Sequence, residues 1–494
     1  MGDPAGVIGE IMNENNIEMA PALEDKSFFK PRDRWRGYVN GEMVDGREGE
    51  TFETINPSNG EVLGEVSRFK ANDVPGIILG AREGMREWQN MPPSERAETL
   101  YRVSRIMQER SREFAVTETL DNGKPIRETR DVDTVLAAEW FFSHAGWADK
   151  LEYAGLGTSP KPLGVAGQII PWNFPLLMLA WKVAPALAAG NTVVLKPAES
   201  TPLTALLFAE VCQQAELPAG VVNIVTGDGS TGALIVNHPG IDKIAFTGST
   251  EVGKIIARAV APTNKSVTLE LGGKAANIVF DDAPIDETVE GIVNGIFFNQ
   301  GHVCCAGSRL LLQENVAEEV LHKLKNRMEK IRVGDPMDKN TDVGAINSKE
   351  QLAKIIELAA VGDAEGAERW SPACNLPSKG FWFAPTIFTG VTQAHRIARE
   401  EIFGPVLSVL TFRTPQEAIE KANNTPFGLS AGIWSEKGSR TLWASQQLRA
   451  GVIWANTFNK FDPTSPFGGY KESGWGREGG RHGLAAYLKG VSHE

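Results

Sequence analysis

The sequence predicts an α/β fold in which two parallel β-sheets carry helices on both faces. From Leu163 onward, short apolar runs alternate with helical stretches, a pattern typical of βαβ units. A second α/β unit follows from Ala276 to about Trp454. The length of 494 residues leaves room for two or three domains with sizeable cores.

The first unit contains five predicted strands, and the helices between them make neighbouring strands parallel. The turn Pro171-Trp-Asn-Phe-Pro175 leads into a helix that extends to Ala189. Thr201 is expected to cap the next helix, with Pro202 at the first helical position, where its missing N–H is harmless. The predicted strands are 164–170, 191–196, 220–225, 242–246 and 267–271.

The segments around these units are less regular. Residues 1–33 precede the first globular pattern and form either one or two amphipathic turns around 7–19 or a mobile tail. Residues 36–66 contain short runs typical of hairpin strands, and helical periodicity dominates from 71 to about 148. The tail from 467 to 490 is rich in glycine and then apolar.

Composition excludes several classes of function. Hydrophobic residues make up 42% and charged residues 23% of the chain, ordinary values for a soluble globular protein. A formal net charge of −12 argues against a nucleic-acid partner and against general attraction to anionic membranes. The most apolar stretch, 165–195, is interrupted by prolines and Lys182, so it fits a buried strand and helix better than a membrane span.

The first residues and the cysteines indicate the compartment. The chain start lacks the regions of a signal peptide, and Gly6 replaces the Ser or Thr that myristoylation needs. The four cysteines include no CxxC pair and no metal-like spacing. The sequence therefore predicts a cytoplasmic protein without a bound metal or a membrane anchor.

Two groups of residues are candidates for binding a nucleotide. Gly227-Asp-Gly229-Ser-Thr-Gly232 matches GxGxxG formally, but the next strand lacks the carboxylate that the ordinary dinucleotide motif requires. Lys196 and Glu199 follow an earlier strand and can bond the two hydroxyls of an adenosine ribose. The second group is therefore the better candidate.

Gly248 and Ser249 extend this candidate site, because they precede a helix over 251–260 whose free N–H groups suit a pyrophosphate. Structural alternatives stay open for both pairs of residues. Gly248 and Ser249 would also serve as a simple helix cap. Lys196 and Glu199 would also serve as a surface ion pair.

Two further residues carry candidate chemistry. Glu270 lies at the end of an apolar predicted strand, and Cys304 follows a helix that ends near Val303. Taken singly, such a cysteine is usually a small core residue, and such a glutamate is usually solvated or paired. Glycines beside both residues permit a close backbone approach, which favours a functional role.

Seven segments together resemble the aldehyde dehydrogenase superfamily in order and spacing, across roughly residues 35–490. Residues 176–181 and 474–480 are most similar to the family-sixteen type, whose members often carry a second dehydrogenase-like half that these 494 residues do not contain. The seven segments are Pro171-Trp-Asn-Phe-Pro175, Lys196-Pro-Ala-Glu199, Phe246-Thr-Gly-Ser-Thr250, Glu270-Leu-Gly-Gly-Lys274, Asn299-Gln-Gly-His-Val-Cys304, Glu401-Ile-Phe-Gly-Pro-Val406 and Pro466-Phe-Gly-Gly-Tyr-Lys471.

The resemblance implies an aldehyde dehydrogenase-like fold with a nucleotide-binding domain, a catalytic domain and a small β oligomerisation hairpin. It also implies a homodimer or homotetramer, because the hairpin and an apolar C-terminal strand around 485–488 would otherwise expose unpaired edges. The implied boundaries are 1–33 for an N-terminal extension, 34–142 and 164–271 for the NAD-binding domain, 272–468 for the catalytic domain, and 143–163 and 469–494 for the oligomerisation segments.

The resemblance also implies the reaction, an NAD-dependent oxidation of an aldehyde to a carboxylic acid. Cys304 would attack the carbonyl to give a thiohemiacetal and then a thioester. Asn173 and the backbone N–H of Cys304 would stabilise the oxyanion. Glu270 would activate the water that hydrolyses the thioester, and Cys305 would be a packing neighbour.

For the cofactor, the resemblance assigns the nicotinamide ribose to Glu401, with Phe403 nearby. A carboxylate at Glu199 repels a 2′-phosphate, so NAD is preferred over NADP, although Lys196 lets some relatives use both. The other implied cofactor contacts are Ile169, Trp172, Lys196, Gly229, Gly248 and Ser249.

Six positions match the wall of the family's substrate tunnel, although the same residues would also fit a plain hydrophobic core. They include no Arg or Lys that would hold a carboxylated aldehyde, so a neutral aliphatic or aromatic aldehyde is favoured. These positions are Phe174, Leu177, Trp181, Phe298, Phe461 and Phe467.

One position departs from the family pattern. His302 stands where Gln is usual, two residues before the nucleophile. A nearby histidine can raise the thiolate content of a cysteine, but an incidental histidine at a helix end is the favoured interpretation.

Two rival functions are compatible with the same resemblance. Related enzymes that pass the acyl group to coenzyme A typically lack the general base, so Glu270 argues against that reaction. A non-catalytic scaffold on this fold is disfavoured by the joint presence of Cys304, Glu270 and Asn173.

Overall fold

The computed structural model describes residues 20–157 and 159–490. The stretch 7–19, for which the sequence predicts amphipathic turns or a mobile tail, lies outside the described residues. Residues 20–33 contact the rest of the chain: the backbone N–H of Glu24 donates to the carbonyl of Met337 at 2.8 Å, and its buried carboxylate binds Arg112. This part of the predicted extension is therefore packed against the fold.

The helices arise from apolar residues at three- and four-residue spacing, as in Val74, Ile77, Ile78 and Ala81, which are all buried. A π-helical turn, Thr129–Asp133, lies between two of them. The α-helices of the described residues are α1 (Val74–Asn90), α2 (Pro93–Glu109), α3 (Ser111–Asn122), α4 (Ile126–Glu128), α5 (Thr134–Ala148), α6 (Pro175–Ala188), α7 (Leu203–Gln214), α8 (Gly229–Asn237), α9 (Thr250–Val260), α10 (Ile285–Phe297), α11 (Glu314–Met328), α12 (Lys349–Ala364), α13 (Arg396–Arg399), α14 (Pro415–Asn423), α15 (Gly438–Gln447) and α16 (Gly480–Ala485).

The strands that form the centres of the two large sheets are buried along almost their whole length, as parallel strands covered on both faces must be. The strands of the described residues are β1 (Arg34–Trp35), β2 (Gly37–Val39), β3 (Glu42–Val44), β4 (Thr51–Ile55), β5 (Val62–Ser67), β6 (Lys161–Pro162), β7 (Val165–Ile169), β8 (Thr192–Lys196), β9 (Val222–Ile224), β10 (Lys243–Thr247), β11 (Ser266–Glu270), β12 (Ala276–Val279), β13 (Arg309–Gln313), β14 (Glu368–Trp370), β15 (Thr386–Thr389), β16 (Val406–Phe412), β17 (Phe427–Gly428), β18 (Ser430–Trp434), β19 (Val452–Ala455), β20 (Tyr470–Lys471), β21 (Gly474–Trp475) and β22 (Leu488–Lys489).

The first large sheet has eight strands in the order β21-β11-β10-β7-β8-β9-β2-β3. The five strands from β11 to β9 run parallel, so their carboxyl ends meet at one edge. Ile169 pairs with Lys196 on one side and with Phe246 on the other, which brings the ends of three strands together. The predicted nucleotide-binding residues follow these ends.

The second large sheet has seven strands in the order β14-β15-β16-β13-β12-β18-β19, and β14 is its antiparallel member. The predicted α/β fold with two largely parallel sheets is therefore confirmed. Predicted and observed strands differ by only one or two residues at their ends in most cases; the strand expected over 242–246, for example, is Lys243–Thr247.

The segment predicted to form an oligomerisation hairpin takes a different form. Helix α5 extends to Ala148, and a 3-10 turn covers Leu151–Tyr153. Among the described residues of this segment, β6 is the one strand, and it pairs with the C-terminal β22. Pro160 and Pro162 cannot donate to a strand ladder, which prevents a longer hairpin here. The strand expected around 485–488 is instead the end of α16 followed by β22.

The cap predicted at Thr201 is also wrong. Helix α7 begins at Leu203 with Pro202 as its N-cap, and the N–H of Leu203 donates to the buried carboxylate of Asp121 at 3.0 Å. Because α3 supplies this capping group from 82 residues earlier in the chain, no local pattern could show it.

None of the described helices combines the length and the apolar character that a membrane crossing needs. In the described ranges, no three or more His, Cys, Asp or Glu side chains are grouped so that they could hold a metal ion.

Candidate active site

A cavity of about 300 Å³ lies where loops of the two sheet units meet. Residues that follow strands of the first sheet, such as Gly248 and Gly272, face residues of the second unit, such as Cys304 and Glu401. Most of the predicted site residues line this cavity. They are Asn173, Glu270 and Cys304, the cofactor positions Trp172, Gly248, Ser249, Glu401 and Phe403, and the tunnel positions Phe174, Leu177, Trp181, Phe298, Phe461 and Phe467.

Four predicted cofactor residues lie outside this lining. Lys196 ends β8 and donates to Glu199 at 3.0 Å; the lysine side chain is 5% exposed, whereas that of Glu199 is 56% exposed. Ile169 lies beside Lys196 in the sheet, and Gly229 is the first residue of α8. The ion pair expected as an alternative is thus formed, but with a buried lysine rather than on the open surface.

The loop before Cys304 has a left-handed backbone conformation at two residues. Asn299 and Gln300 have φ angles of 48° and 53°. Asparagine tolerates this region, whereas for glutamine it costs roughly 1–2 kcal/mol. The N–H of Asn299 donates to Glu128 at 2.9 Å, and the side chain of Gln300 donates to the carbonyl of Ala345 at 3.0 Å. These buried contacts stabilise the loop that presents the sulfur.

Asn173 packs against the same loop. Its side-chain Nδ2 donates to the backbone carbonyl of His302 at 2.8 Å. Its own backbone carbonyl accepts from Nδ2 of Asn299 at 2.7 Å. A primary amide has two N–H donors, so one donor of Asn173 remains for an oxygen in the cavity. The amide is therefore held in place and still able to bond a ligand.

Sequence reasoning missed the residues that hold these loops from behind. The carboxylate of Glu118 accepts the N–H of Leu176 at 3.0 Å, at the start of α6. Lys124 lies 2.6 Å from Asp133 and 3.6 Å from Glu118, and all three side chains are inaccessible to solvent. We call Glu118, Lys124, Glu128 and Asp133 the support cluster. Its only sequence signal is a set of charged residues on predicted helices, which usually indicates a solvated face.

The two neighbouring cysteines differ in their surroundings. Cys304 is partly exposed in the cavity, whereas Cys305 is fully buried, with Sγ 3.8 Å from Oδ1 of Asn459. Burial raises the pKa of the Cys305 thiol well above its ordinary value, and the adjacent Cys304 acts in the same direction. Since the thiolate is the nucleophilic form, Cys305 is poorly suited to attack a carbonyl.

Glu270 ends β11 and is only 4% exposed. Neither of its carboxylate oxygens has a hydrogen-bond partner among the described residues. Burial raises the pKa of Glu270 well above its ordinary value, and Glu478 adds to this effect while Lys182 opposes it. A Cβ at Gly468 would lie 2.6 Å from the backbone oxygen of Gly476 and 2.8 Å from Oε1 of Glu270, so a glycine is needed there.

Lys182 and Glu478 form a buried ion pair at 2.5 Å near Glu270. The two side chains are 1% and 3% exposed. A lysine is almost never fully buried unless it is paired, and the isolated Lys182 in an apolar helix was the sequence signal for this pair. We call Glu270, Lys182 and Glu478 the base cluster.

A glycine pair connects the cofactor side of the cavity to the nucleophile. The N–H of Gly273 donates to Oε1 of Glu401 at 2.8 Å. A Cβ at Gly272 would lie 2.3 Å from Oε2 of Glu401, and a Cβ at Gly273 would lie 2.4 Å from the carbonyl oxygen of Cys304. Two side chains would push these groups apart, so the glycines permit Glu401 and Cys304 to border one cavity.

The helix after β10 begins as the sequence predicts. Ser249 is the N-cap of α9, and its hydroxyl accepts the N–H of Val252 at 3.3 Å. Ser249 therefore caps the helix. Its hydroxyl binds one N–H of the first turn, so other N–H groups there remain able to bind a ligand. A Cβ at Gly248 would lie 2.5 Å from the ring of Phe246, which explains the glycine there.

The wall predicted as a substrate tunnel is aromatic. Trp181 packs edge-to-face on Phe467 at 5.1 Å and on Phe461 at 6.1 Å, and Phe174 stacks on Phe298 at 6.1 Å. The cavity lining also contains Lys354 and Lys460, which sequence reasoning did not place there. The aromatic residues form a surface that suits an apolar group, and the same lining also contains these two cations.

Comparison with known proteins identifies the family. The sequence model of the Aldehyde dehydrogenase family matches residues 43–491. Retinal dehydrogenase 2 of Homo sapiens is 44% identical over 463 residues, covering 91% of this chain and 89% of that protein. An aldehyde dehydrogenase of Enchytraeus buchholzi is 44% identical over 465 residues, covering 92% and 94%.

Solved structures agree with these relatives. An NAD+ complex of an aldehyde dehydrogenase from Bacillus cereus superposes with a TM-score of 0.91 at 40% identity, covering 95% of this chain and 98% of that one. The predicted superfamily, fold and enzyme class are confirmed, whereas the resemblance to the family-sixteen type stays a prediction. On the match over residues 43–491, this chain belongs to the aldehyde dehydrogenase family.

Proposed function

We propose that this protein uses NAD to oxidise a neutral aldehyde to a carboxylic acid, through a thioester on Cys304 that is hydrolysed with Glu270 as base. The observation that carries the proposal is that Cys304, Glu270 and Asn173 line one cavity. A partly exposed thiol, an unpartnered carboxylate and a free amide donor are the groups that acyl transfer from sulfur to water requires.

The residues around the cavity fit NAD. Lys196 and Glu199 lie where a parallel sheet binds ribose hydroxyls, and the first turn of α9 suits a pyrophosphate. Glu401 and Phe403 line the cavity beside Cys304. The carboxylate of Glu199 favours NAD over NADP by repelling a 2′-phosphate. When bound, NAD would accept the hydride that leaves the carbon of the Cys304 thiohemiacetal, and this oxidation gives the thioester.

In the first step, the loop of residues 299–304 presents the sulfur of Cys304 to the aldehyde. Cys304, as the thiolate, adds to the aldehyde carbon, and negative charge develops on the carbonyl oxygen. The free N–H of Asn173 and the backbone N–H of Cys304 stabilise that oxygen. One such donor is worth about 3–4 kcal/mol in enzymes of this kind. Since Asn173 is held by His302 and Asn299, it stabilises this charge without rearranging.

The second step belongs to Glu270. Its carboxylate removes a proton from water as the water attacks the thioester carbon, and the thiolate of Cys304 leaves. Because the pKa of Glu270 is raised, its ionised form is a stronger base than the carboxylate of an exposed glutamate, and more of that form is present as the pH rises. Burial is the largest cause of this shift; of the nearby ion pair, Glu478 raises the pKa of Glu270 further and Lys182 lowers it.

Further properties of the protein are part of the same proposal. The proposed domain boundaries at 142, 163, 271 and 468 are supported by the division of strands between the two large sheets, with one exception: β21, from the segment 469–494, joins the first sheet. The protein is proposed to be a cytoplasmic homodimer or homotetramer, as the family resemblance implies, and the net charge of −12 argues against a nucleic-acid or membrane partner. The aromatic wall favours an uncharged aldehyde.

The test is NADH formation, followed at 340 nm, with a panel of aldehydes in the presence and absence of coenzyme A. NADH and free carboxylic acid without coenzyme A support the proposal. A strict requirement for coenzyme A would favour acyl transfer to that thiol. No NADH with any aldehyde, from protein that is folded by circular dichroism, would favour a non-catalytic scaffold. Comparing kcat/KM across the panel then ranks the substrates.

A further inference from the structure

His302 makes contact with two aromatic residues of the cavity wall. Its ring packs edge-to-face on Trp172 at 4.8 Å and stacks on Phe403 at 5.9 Å with an interplanar angle of 16°. The rings of Trp172 and Phe403 also contact each other at 5.3 Å. Trp172 and Phe403 line the cavity, whereas His302 is fully buried behind them. The three rings therefore form one packed group, which we call the ring triad.

The backbone of His302 makes a second connection. Its carbonyl accepts from Nδ2 of Asn173 at 2.8 Å and from Nδ2 of Asn299 at 3.3 Å. One residue thus contacts the proposed cofactor wall through its side chain and the proposed oxyanion amide through its backbone. A shift of His302 would therefore displace both the rings of Trp172 and Phe403 and the side-chain amide of Asn173. Cys304 is only two residues farther along the same loop.

The imidazole is not suited to proton transfer. Neither ring nitrogen has a hydrogen-bond partner among the described residues. Burial lowers the pKa of His302 to about 3, and the ammonium of Lys124 acts in the same direction. The ring is therefore neutral at physiological pH and supplies no positive charge to the thiolate of Cys304.

Phe403 needs support from its neighbours. Its φ of 57° lies in the left-handed region, where a bulky residue is strained. The side chain of Gln351 donates to the carbonyls of Ile402 at 3.0 Å and Phe403 at 2.8 Å, which fixes the backbone. The stacked ring of His302 fixes the side chain, so Phe403 is held from two sides.

We infer that His302 is a positioning residue, whose neutral ring sets Trp172 and Phe403 for NAD and couples this wall to the Asn173–Cys304 loop. The inference rests on the proposed function. It differs from both interpretations that the sequence allowed. In this inference His302 does not raise the thiolate content of Cys304, and it is not an incidental residue at a helix end. The ring itself, rather than its nitrogen atoms, is the functional feature.

Two substitutions separate packing from acid–base chemistry. His302→Ala removes both aromatic contacts of the ring, so the Kd for NAD should rise roughly tenfold. His302→Phe keeps a ring and should bind NAD within about threefold of the wild-type protein. Isothermal titration calorimetry measures both values without turnover. The pH midpoint for alkylation of Cys304 by iodoacetamide should be the same in all three proteins.

His144 provides a matched control. It is also fully buried, and burial lowers its pKa to about 4, but its ring contacts Trp140 at 6.2 Å and lies outside the cavity lining. His144→Ala should lower the melting temperature and leave the Kd for NAD unchanged. Equal weakening of NAD binding by His144→Ala would assign the effect to general loss of stability and overturn the inference.

Other results would overturn it as well. These are wild-type affinity in His302→Ala, equal weakening in His302→Phe and His302→Ala, or an alkylation midpoint shifted by about one pH unit in both variants. Failure of the proposed function gives a different result. A wild-type protein that binds NAD but oxidises no aldehyde would refute that function and leave the binding comparison intact, whereas absence of NAD binding would refute both.

Discussion

The base cluster and the support cluster are both buried groups of charged side chains beside the candidate site, but they are arranged in opposite ways. In the support cluster, Glu118 and Glu128 each accept a backbone N–H from a loop of the site. In the base cluster, neither oxygen of Glu270 has a partner among the described residues. A carboxylate bonded to the backbone contributes to structure, whereas an unbonded one keeps its lone pairs for a water molecule.

The cations follow the same division. Lys124 lies 2.6 Å from Asp133 and 3.6 Å from Glu118, within its own cluster. Lys182 is paired with Glu478, and Glu270 has no direct ion pair with any of the residues that the structure describes. Burial nevertheless raises the pKa of Glu118 and Glu128 to about 8 and also raises that of Glu270, so the two clusters differ in their hydrogen bonds and ion pairs and not in the direction of these pKa shifts. This difference in hydrogen bonding supports the proposal that the support cluster positions the loops and that Glu270 of the base cluster reacts.

The largest effect is expected from Glu270→Gln. A base needed only for release of the acyl group can be removed without blocking acylation, so the variant should form at most one NADH per active site in a rapid burst. Steady turnover should then fall by about 10²–10⁴-fold, the usual contribution of a positioned base. Rapid mixing followed by mass spectrometry should find the acyl group on Cys304.

Cys304→Ala is the control for that experiment, because it should lose both the burst and the steady rate while it still binds NAD. Loss of the burst in Glu270→Gln would mean that Glu270 also activates the thiol. An unimpaired steady rate in Glu270→Gln would remove the role assigned to the base cluster.

A smaller effect is expected from Glu128→Gln in the support cluster. The variant weakens the bond to the N–H of Asn299, which sits in a left-handed conformation, and so loosens the loop before Cys304. The burst rate and the alkylation rate of Cys304 should both fall roughly tenfold, since small misplacements of a reacting group are costly.

Asp131→Asn is a matched control for Glu128→Gln. Asp131 lies three residues away, and its exposed side chain pairs with Arg130 at 2.6 Å. This control should leave both rates unchanged. A Glu128→Gln variant that loses steady turnover but keeps the burst would behave like Glu270→Gln, and it would contradict the division between the two clusters.

The sequence could predict the reacting cluster in part but not the supporting one. Glu270 ends a strand and Cys304 follows a helix, and the apolar patterns of both elements are clear in the sequence. The glycines beside the two residues are visible there as well. Glu118 and Glu128 contact residues that are 58 and 171 positions away, so their role depends on tertiary structure. Local propensity carries no information about such partners.

The same reason explains the errors in the fold. The sheets were predictable because buried apolar runs with Gly or Pro at their ends have one natural structure. The cap of α7 comes from Asp121 on another helix, and β6 pairs with β22 at the opposite end of the chain. His302 was noticed as a departure, but its contacts with Trp172 and Phe403 needed the three-dimensional structure.

The next effect is on stability and depends on pH. The pKa of Glu270 is raised in the folded protein above its ordinary value of 4.5. Its contribution to folding is therefore fully present below about pH 4.5 and is lost as the pH rises through the raised pKa. Glu270→Gln cannot ionise, so the melting temperature of the variant relative to the wild type should increase from pH 5 to pH 9.

Glu128→Gln should show the same sign, because burial raises the pKa of Glu128 to about 8. The gain in melting temperature should be complete near pH 8. It should be smaller than for Glu270→Gln, because the variant loses the bond that the ionised Glu128 carboxylate accepts from the N–H of Asn299. Calorimetric scans at pH 5, 7 and 9 measure both series. A melting-temperature difference that does not vary with pH would show that these carboxylates are not kept protonated by burial.

The smallest effect is expected from Cys305→Ser, which tests whether both clusters converge on one sulfur. Cys305 is fully buried with a raised pKa, and its contact with Asn459 can be kept by a hydroxyl. Turnover should stay within about twofold of the wild-type rate, as for a buried residue that takes no part in the chemistry. Cys304→Ser changes the neighbouring thiol in the same way and should abolish turnover. Fragment-ion mass spectrometry after iodoacetamide treatment distinguishes the two positions, and label on Cys305 with activity retained in Cys304→Ser would assign the nucleophile to the other sulfur.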